Sequence, residues 1–260
     1  MKSKFLGYTK DIVVIDNIVS TEKADAWEKH VTNNNFAWYL LRDIDPSKIL
    51  DKVYEIPYPF ETASKVNHMR FSYNLEKFTL PESELYYRTK ILDKSNHRTA
   101  YDNNTINTAQ FTHDLYNEND DGSYQYQYAK ELIDECCKKF EIVPYYFRLK
   151  FNLLTNNYLM TKDKYNTPHI DNKYVNSYSM IYYVNDSDGD TIIFNETCND
   201  ETMTRPDKLT IKQRIEPKKN RAVLFRGNYF HTSSNPMNNE TRIVLNVNLA
   251  NKNEIVKTYD

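Results

Sequence analysis

Glycine is nearly absent: the 260-residue chain has 4. A phosphate-cradling loop needs several glycines in a short span, and neither a G-x-G-x-x-G fingerprint nor a Walker motif is present. Cysteine is equally sparse, with 3 residues, of which Cys136 and Cys137 are adjacent and Cys198 is distant. An odd count without a C-x-x-C pair excludes a disulfide scaffold and a zinc ribbon, and it predicts a reducing, cytoplasmic setting. No apolar run approaches the length of a membrane span. The opening "MKSKFLGYTKDIVVID" holds only a short apolar run between Asp11 and Asp16, so a signal peptide is not expected. Charge of either sign is not in excess: the net charge is −2 and the pI is near 6.3. Long-range attraction to nucleic acid or an anionic membrane is therefore not expected. The basic run "EPKKNR" (216–221) reads as a solvated turn.

Apolar residues make up 40% of the chain and aromatics 14%, with 22 tyrosines. That is enough to build a core and to exclude global disorder. The bias toward Asn, Lys and Tyr is compatible with an AT-rich genome; if that genome is viral, the compartment is the host cytoplasm. "DIVVID" (11–16) predicts a short strand. Ser20 or Thr21 then caps a helix running to about Asn33. Residues 42–123 read mostly as loop. The long polar stretch 96–122 is expected to border a cleft, with Tyr101 and Phe111 as contacts. A second helix is expected over 124–140, with Tyr128, Leu132, Cys136 and Phe140 as its apolar face.

From Tyr145 the period changes to two. In "YYFRLKFNLLT", Phe147, Leu149, Phe151 and Leu153 share one face, and Arg148, Lys150 and Asn152 the other. "YSMIYYVN", "TIIFNE", "LTIKQRIE", "RAVLFRG" and "TRIVLNVNL" continue the series. Short strands at this spacing predict an antiparallel sandwich or barrel such as a jelly roll. The expectation is a single domain over 1–260: a helical and loop layer (1–143) packed on a β core (144–250).

Within "NTPHIDNKY" (166–174), His169 and Asp171 lie two apart, so on a strand both side chains face one point. They are either metal ligands or a strand-end histidine beside a carboxylate. His231, in "GNYFHTSSNP", follows the strand "AVLFRG". Two imidazoles and one carboxylate on one face of a metal leave open positions and suit non-haem Fe(II). Arg242 lies eleven positions after His231, on the face of its strand opposite Ile243, Leu245, Val247 and Leu249. Either it stands inside a barrel and matches a carboxylate in a bidentate fork, or it is a surface arginine on an edge strand. His30, His68, His97 and His113 have no motif context and read as structural or exposed.

H-x-D, a distal histidine and a basic residue about ten positions on resemble the Fe(II)/2-oxoglutarate-dependent dioxygenases, whose fold is a double-stranded β-helix (jelly roll, cupin-like). "MIYYVNDSDGDTIIF" and "IEPKKNRAVLFRGNYFH" resemble that family's strands before the distal histidine. "RLKFNLL" resembles the "R-x-K-x-N-L" of phage and bacterial members of the prolyl-4-hydroxylase-like branch. The resemblance runs from about Phe147 to Leu249, and more loosely over "DIVVIDNIVSTEKADAW".

This resemblance implies a mainly β fold packed by N-terminal helices, and an enzyme using Fe(II), 2-oxoglutarate and O2. His169, Asp171 and His231 would be the metal ligands and catalytic centre. Arg242 would bind the 5-carboxylate of 2-oxoglutarate, with Tyr183 as a hydrogen-bond donor and Arg148 and Asn152 lining the pocket. The reaction would hydroxylate a C–H bond, on a protein or peptide side chain such as proline, releasing succinate and CO2. A free amino acid or small metabolite is the alternative substrate, and a non-catalytic jelly-roll binding module the alternative class. Two departures stand out. Collagen-type prolyl hydroxylases carry lysine at the place of Arg242, and the tyrosine common before the first histidine in that branch has no counterpart here.

Overall fold

Successive side chains on a strand point to opposite faces, and the sheets use both. The computed structural model describes residues 11–41, 104–106, 108–117, 123–171, 176–198, 206 and 208–252. In chain order the elements are β1 (Ile12–Asp16), α1 (Thr21–Val31), β2 (Tyr39–Leu41), β3 (Gln110–Asn117), α2 (Gln125–Lys139) and β4 (Pro144–Thr155). Then follow β5 (Ser177–Tyr183), β6 (Thr191–Thr197), β7 (Ile211–Ile215), β8 (Arg221–Arg226), β9 (Tyr229–Ser233) and β10 (Thr241–Asn251).

Seven strands form one antiparallel sheet in the order β1-β8-β5-β10-β4-β3-β2, and three form a second in the order β7-β6-β9. All named pairings are antiparallel. Two such sheets, packed face to face with helices behind the larger one, make a jelly roll. The helices cover the outer face of the large sheet. There, Val31 of α1 and Ala129, Leu132, Ile133 and Cys136 of α2 pack with Leu149, Phe151, Ile243, Leu245 and Val247. Between the sheets a second apolar cluster joins Ile181, Tyr183, Val223, Phe225 and Val244 to Ile193, Ile215 and Tyr229 of the small sheet.

Helix α1 begins where expected: Ser20 is its N-cap, and its hydroxyl accepts from the Lys23 N–H. The buried face of α2 differs from the expected stripe. Tyr128 is 63% exposed, and the face turned inward is Ala129, Leu132, Ile133, Cys136 and Phe140. A strict four-residue repeat overshoots a 3.6-residue turn by about 40° per step, so the apolar stripe must also use three-residue steps.

Three strands escaped the sequence reading. β3 lies in the stretch read as loop, β2 lies just before it where no element was expected, and β9 carries His231 itself. Phe111 belongs to β3 and pairs in the row of Leu153 and Ile243, on the helix side of the large sheet, so it does not face a cleft on the other side. Tyr101, His68 and His97 lie outside the described residues. His30 and His113 are structural as expected: His30 bonds Gln125, and His113 contacts the Ala37 carbonyl and Ser123. The three cysteines are free and buried. Among the described residues no helix is long and apolar enough to cross a membrane.

Candidate metal centre

Residues 166–170 run beside β9 at the edge of the small sheet. His169 and His231 exchange both backbone hydrogen bonds, each 2.9 Å. This pairing turns both imidazoles to the same side, with ring centroids 4.6 Å apart. Asp171, two residues on, joins them. One ligand atom from each of His169, Asp171 and His231 lies within 4.8 Å of the other two.

The hydrogen bonds around the triad prepare it for a cation. His169 Nδ1 lies 3.2 Å from the Thr167 carbonyl and His231 Nδ1 lies 3.0 Å from the Tyr229 carbonyl. A carbonyl only accepts, so each Nδ1 carries a proton, and in the neutral imidazole that a metal binds each Nε2 keeps the lone pair. His231 Nε2 is buried without a hydrogen-bond partner, although the Asp171 carboxylate stands 3.3 Å away without hydrogen-bond geometry. A buried, unsatisfied nitrogen beside a carboxylate is costly unless a cation sits between them. Burial, then the neighbouring His231, lower the His169 imidazole to about 4, so it is a neutral donor at physiological pH.

The Asp171 side chain is 1% exposed. Its Oδ1 accepts from Arg148 (3.1 Å), and its Oδ2 accepts from Ser179 (2.6 Å) and Asn248 (2.7 Å). Burial alone would raise this carboxyl. The contact with His231, then the charge of Arg148, outweigh burial and hold it well below the usual carboxylate range. Arg148 is thus an ion-pair partner of Asp171, and its Nε also donates to Asn248. Outer partners of this kind fix a ligand's orientation. Ser179 and Asn248 were not legible as site residues, because they reach Asp171 only through the pairing of β5 and β10.

Arg242 is buried, with 3% exposure. Its Nε donates to the Gly189 carbonyl (2.7 Å) and its Nη2 to Thr191 Oγ1 (2.6 Å). Tyr183 donates its own hydroxyl to the same Thr191 Oγ1 (2.7 Å), and its ring centroid lies 5.8 Å from the guanidinium. Burial pushes the Tyr183 phenol up to about 12, so it stays a neutral donor. Among the described residues no carboxylate lies within ion-pair distance of Arg242. An arginine buried among neutral acceptors has the remainder of its fork free for an anion. The edge-strand alternative for Arg242 is excluded, since β10 lies between β5 and β4. Asn152 faces the same interior, and its Oδ1 is buried without a partner.

Residues 153–250, which carry the triad and Arg242, match the family described as the 2OG-Fe(II) oxygenase superfamily. This segment is a 2OG-Fe(II) oxygenase core. The chain is accordingly a 2-oxoglutarate-dependent dioxygenase, and Fe(II), 2-oxoglutarate and O2 are its cofactors. The donor set fits iron: two imidazole nitrogens and one carboxylate leave metal positions open for further ligands.

Among solved structures, the oxygenase is similar to three prolyl hydroxylases. One is from Trichoplax adhaerens in complex with a hypoxia inducible factor peptide fragment (TM-score 0.43, 12% identity, 96% of this chain and 87% of that one). Another is the Pseudomonas putida prolyl-4-hydroxylase (TM-score 0.41, 11% identity, 94% of each chain). The third is the viral collagen prolyl hydroxylase of Paramecium Bursaria Chlorella virus-1 as its 2OG complex (TM-score 0.39, 10% identity, 93% and 97%). No curated protein matches the sequence.

Gly189 ties the fold to this site. A Cβ there would stand 2.5 Å from the Ser234 carbonyl oxygen and 2.9 Å from the Pro236 nitrogen, both backbone atoms. Gly189→Ala must push two backbone segments apart and displace the carbonyl that accepts from Arg242. The expected cost is about 1–3 kcal/mol of stability, read as a lowered Tm, together with weaker 2-oxoglutarate binding in calorimetry.

Proposed function

We propose that the oxygenase hydroxylates a C–H bond in a protein or peptide side chain, proline being the first candidate, with His169, Asp171 and His231 as the iron ligands. Arg242 takes the 5-carboxylate of 2-oxoglutarate, and the Thr191 hydroxyl, which accepts from Arg242 and Tyr183 and keeps its own proton to donate, completes that anion seat. Bound iron, with 2-oxoglutarate and O2, supplies oxidative hydroxylation with succinate and CO2 as coproducts. The chain's own part is placement. The Nδ1 bonds hold both Nε2 lone pairs inward, while Arg148, Ser179 and Asn248 fix the Asp171 carboxylate. Arg242 sets the end of the cosubstrate away from the metal. Phe225 packs edge-on against His231 at 4.8 Å, and with Ile181, Val223 and Val244 it keeps water from that side of the metal seat.

The observation that carries the cosubstrate assignment is the buried Arg242 without a counter-carboxylate. A peptide is favoured by the width of the large sheet. Its seven strands face a sheet of three, so β4 and β3 extend a polar inner face beside the metal seat, through Arg148, Lys150, Asn152, Asp114 and Thr112, as an extended chain requires. The test is a mass-spectrometric screen of Fe(II)-loaded protein with 2-oxoglutarate and air, using proline-containing peptides and free amino acids. A 16 Da gain on a peptide supports the reading; a gain confined to free amino acids replaces it with the small-metabolite alternative.

A further inference from the structure

Lys150 has no role in the site as described so far, although its place on β4 is beside it. The pairing of β4 with β10 and of β10 with β5 stacks inner-face side chains in rows. Ser179, Asn248 and Arg148 form the row that holds Asp171. The next row is Ile181, Asn246 and Lys150. The one after is Tyr183, Val244 and Asn152, and Arg242 lies one step further on. Successive rows are about 7 Å apart. Lys150 therefore stands between the metal seat and the Arg242 end, on the wall along which a cosubstrate or substrate must lie.

Among the described residues its ammonium has neither a hydrogen bond nor an ion pair. The nearest inner-face acid across β3 is Asp114, an exposed residue that makes no ion pair with it. Arg148, the next cation on the strand, is already engaged by Asp171. The residue keeps part of its surface open, yet the protein around it is close enough that desolvation, then the repulsion of Arg148, lower the ammonium to about 8. It is still mainly protonated at neutral pH. This wall thus carries three cations, Arg148, Lys150 and Arg242, and one buried carboxylate, Asp171; Asp114 beside Lys150 is exposed, and Asp190 near Arg242 is paired with Arg214. A divalent metal adds to that excess. One 2-oxoglutarate dianion does not cancel it, and an uncompensated buried charge is unfavourable.

We infer that Lys150 is a carboxylate-binding residue of this site, contacting either the metal-side carboxylate of 2-oxoglutarate or a carboxylate of the substrate. The substrate branch rests on the peptide reading above; the cosubstrate branch does not. The experiment uses Mn(II)-loaded full-length protein and calorimetry with three probes: 2-oxoglutarate, a short proline-containing peptide with a free C-terminal carboxylate, and its amidated twin. Lys150→Met keeps the length and removes the charge, which is expected to weaken one contact about tenfold or more. Weaker 2-oxoglutarate binding assigns the cosubstrate carboxylate. Weaker binding of the free peptide with the amidated twin unchanged assigns the substrate. In either case Lys150→Arg restores most of the affinity and Mn(II) affinity does not move. If Lys150→Met does not fold, Lys150→Gln is read in the same way. The inference is overturned if the variant binds 2-oxoglutarate and the free peptide as wild type does. If wild type binds no peptide, weakened 2-oxoglutarate binding upholds Lys150 while the peptide reading falls, and unchanged 2-oxoglutarate binding ends both.

Discussion

Asp171→Ala is expected to abolish stoichiometric Fe(II) binding at micromolar protein and, with it, all 2-oxoglutarate turnover. Of the three proposed ligands, the aspartate alone would bring negative charge to the metal, and its orientation is fixed from both oxygens by Arg148, Ser179 and Asn248. Removing outer partners alone typically costs about 10–100-fold in metal affinity; losing the ligand itself costs more. The substitution also leaves the Arg148 guanidinium facing the metal seat without its counter-charge, so electrostatics add to the loss. Asp171→Asn separates the two effects. It keeps the shape but turns one accepting oxygen into a donating NH2 that faces donors on Arg148 or on Ser179 and Asn248, and it is expected to bind iron more weakly than wild type but better than the alanine variant. Equilibrium dialysis with metal analysis reads both. Wild-type Fe(II) stoichiometry in Asp171→Ala would place the metal elsewhere.

Arg242→Met is expected to raise the dissociation constant of 2-oxoglutarate with little change in Fe(II) affinity. Truncating one partner of a buried charge pair costs about 2–5 kcal/mol, or roughly 30-fold or more in affinity. The effect is selective because Arg242 contacts Gly189 and Thr191 and none of the three ligands. Arg242→Lys should recover only part of the loss. A single ammonium cannot span both the Gly189 carbonyl and Thr191 Oγ1 while also pairing with a carboxylate in the fork geometry of arginine. Titration of the metal-loaded protein with 2-oxoglutarate under argon reads the affinity, and thermal melting of each variant checks that the barrel is intact. An unchanged constant in Arg242→Met would move the anion seat to another cation, Lys150 being the next on the same wall.

The β core was legible because β4, β5, β8 and β10 alternate cleanly, or run apolar where both faces are buried. β10 is the clearest case: its apolar side packs under the helices, and its other side carries Arg242, Asn246 and Asn248 into the site. β9 was not legible, since "YFHTS" is short and follows a turn at Gly227. β2 was hidden because three residues show no period, and β3 by its polar composition, since it gains its place by pairing with β4 rather than by its own pattern. The triad was visible as a spacing, and its family resemblance supplied the rest. What surrounds it was not visible. Arg148 reaches Asp171 across 23 residues of sequence and Asn248 across 77, distances that only the sheet register closes. The same holds for Thr191, which joins Tyr183 to Arg242 from the facing sheet.

The central claim is that one site, built by His169, Asp171 and His231 and seated beside Arg242, carries out 2-oxoglutarate-dependent chemistry. The most direct measurement is the NMR detection of succinate formed from 2-oxoglutarate in air, compared across wild type, Asp171→Ala and Arg242→Met. The account predicts succinate from wild type only when Fe(II) is added. It predicts none from Asp171→Ala at any 2-oxoglutarate concentration, and formation by Arg242→Met that is recovered only at much higher 2-oxoglutarate. Fe(II)-dependent succinate from Asp171→Ala at the wild-type rate would contradict it.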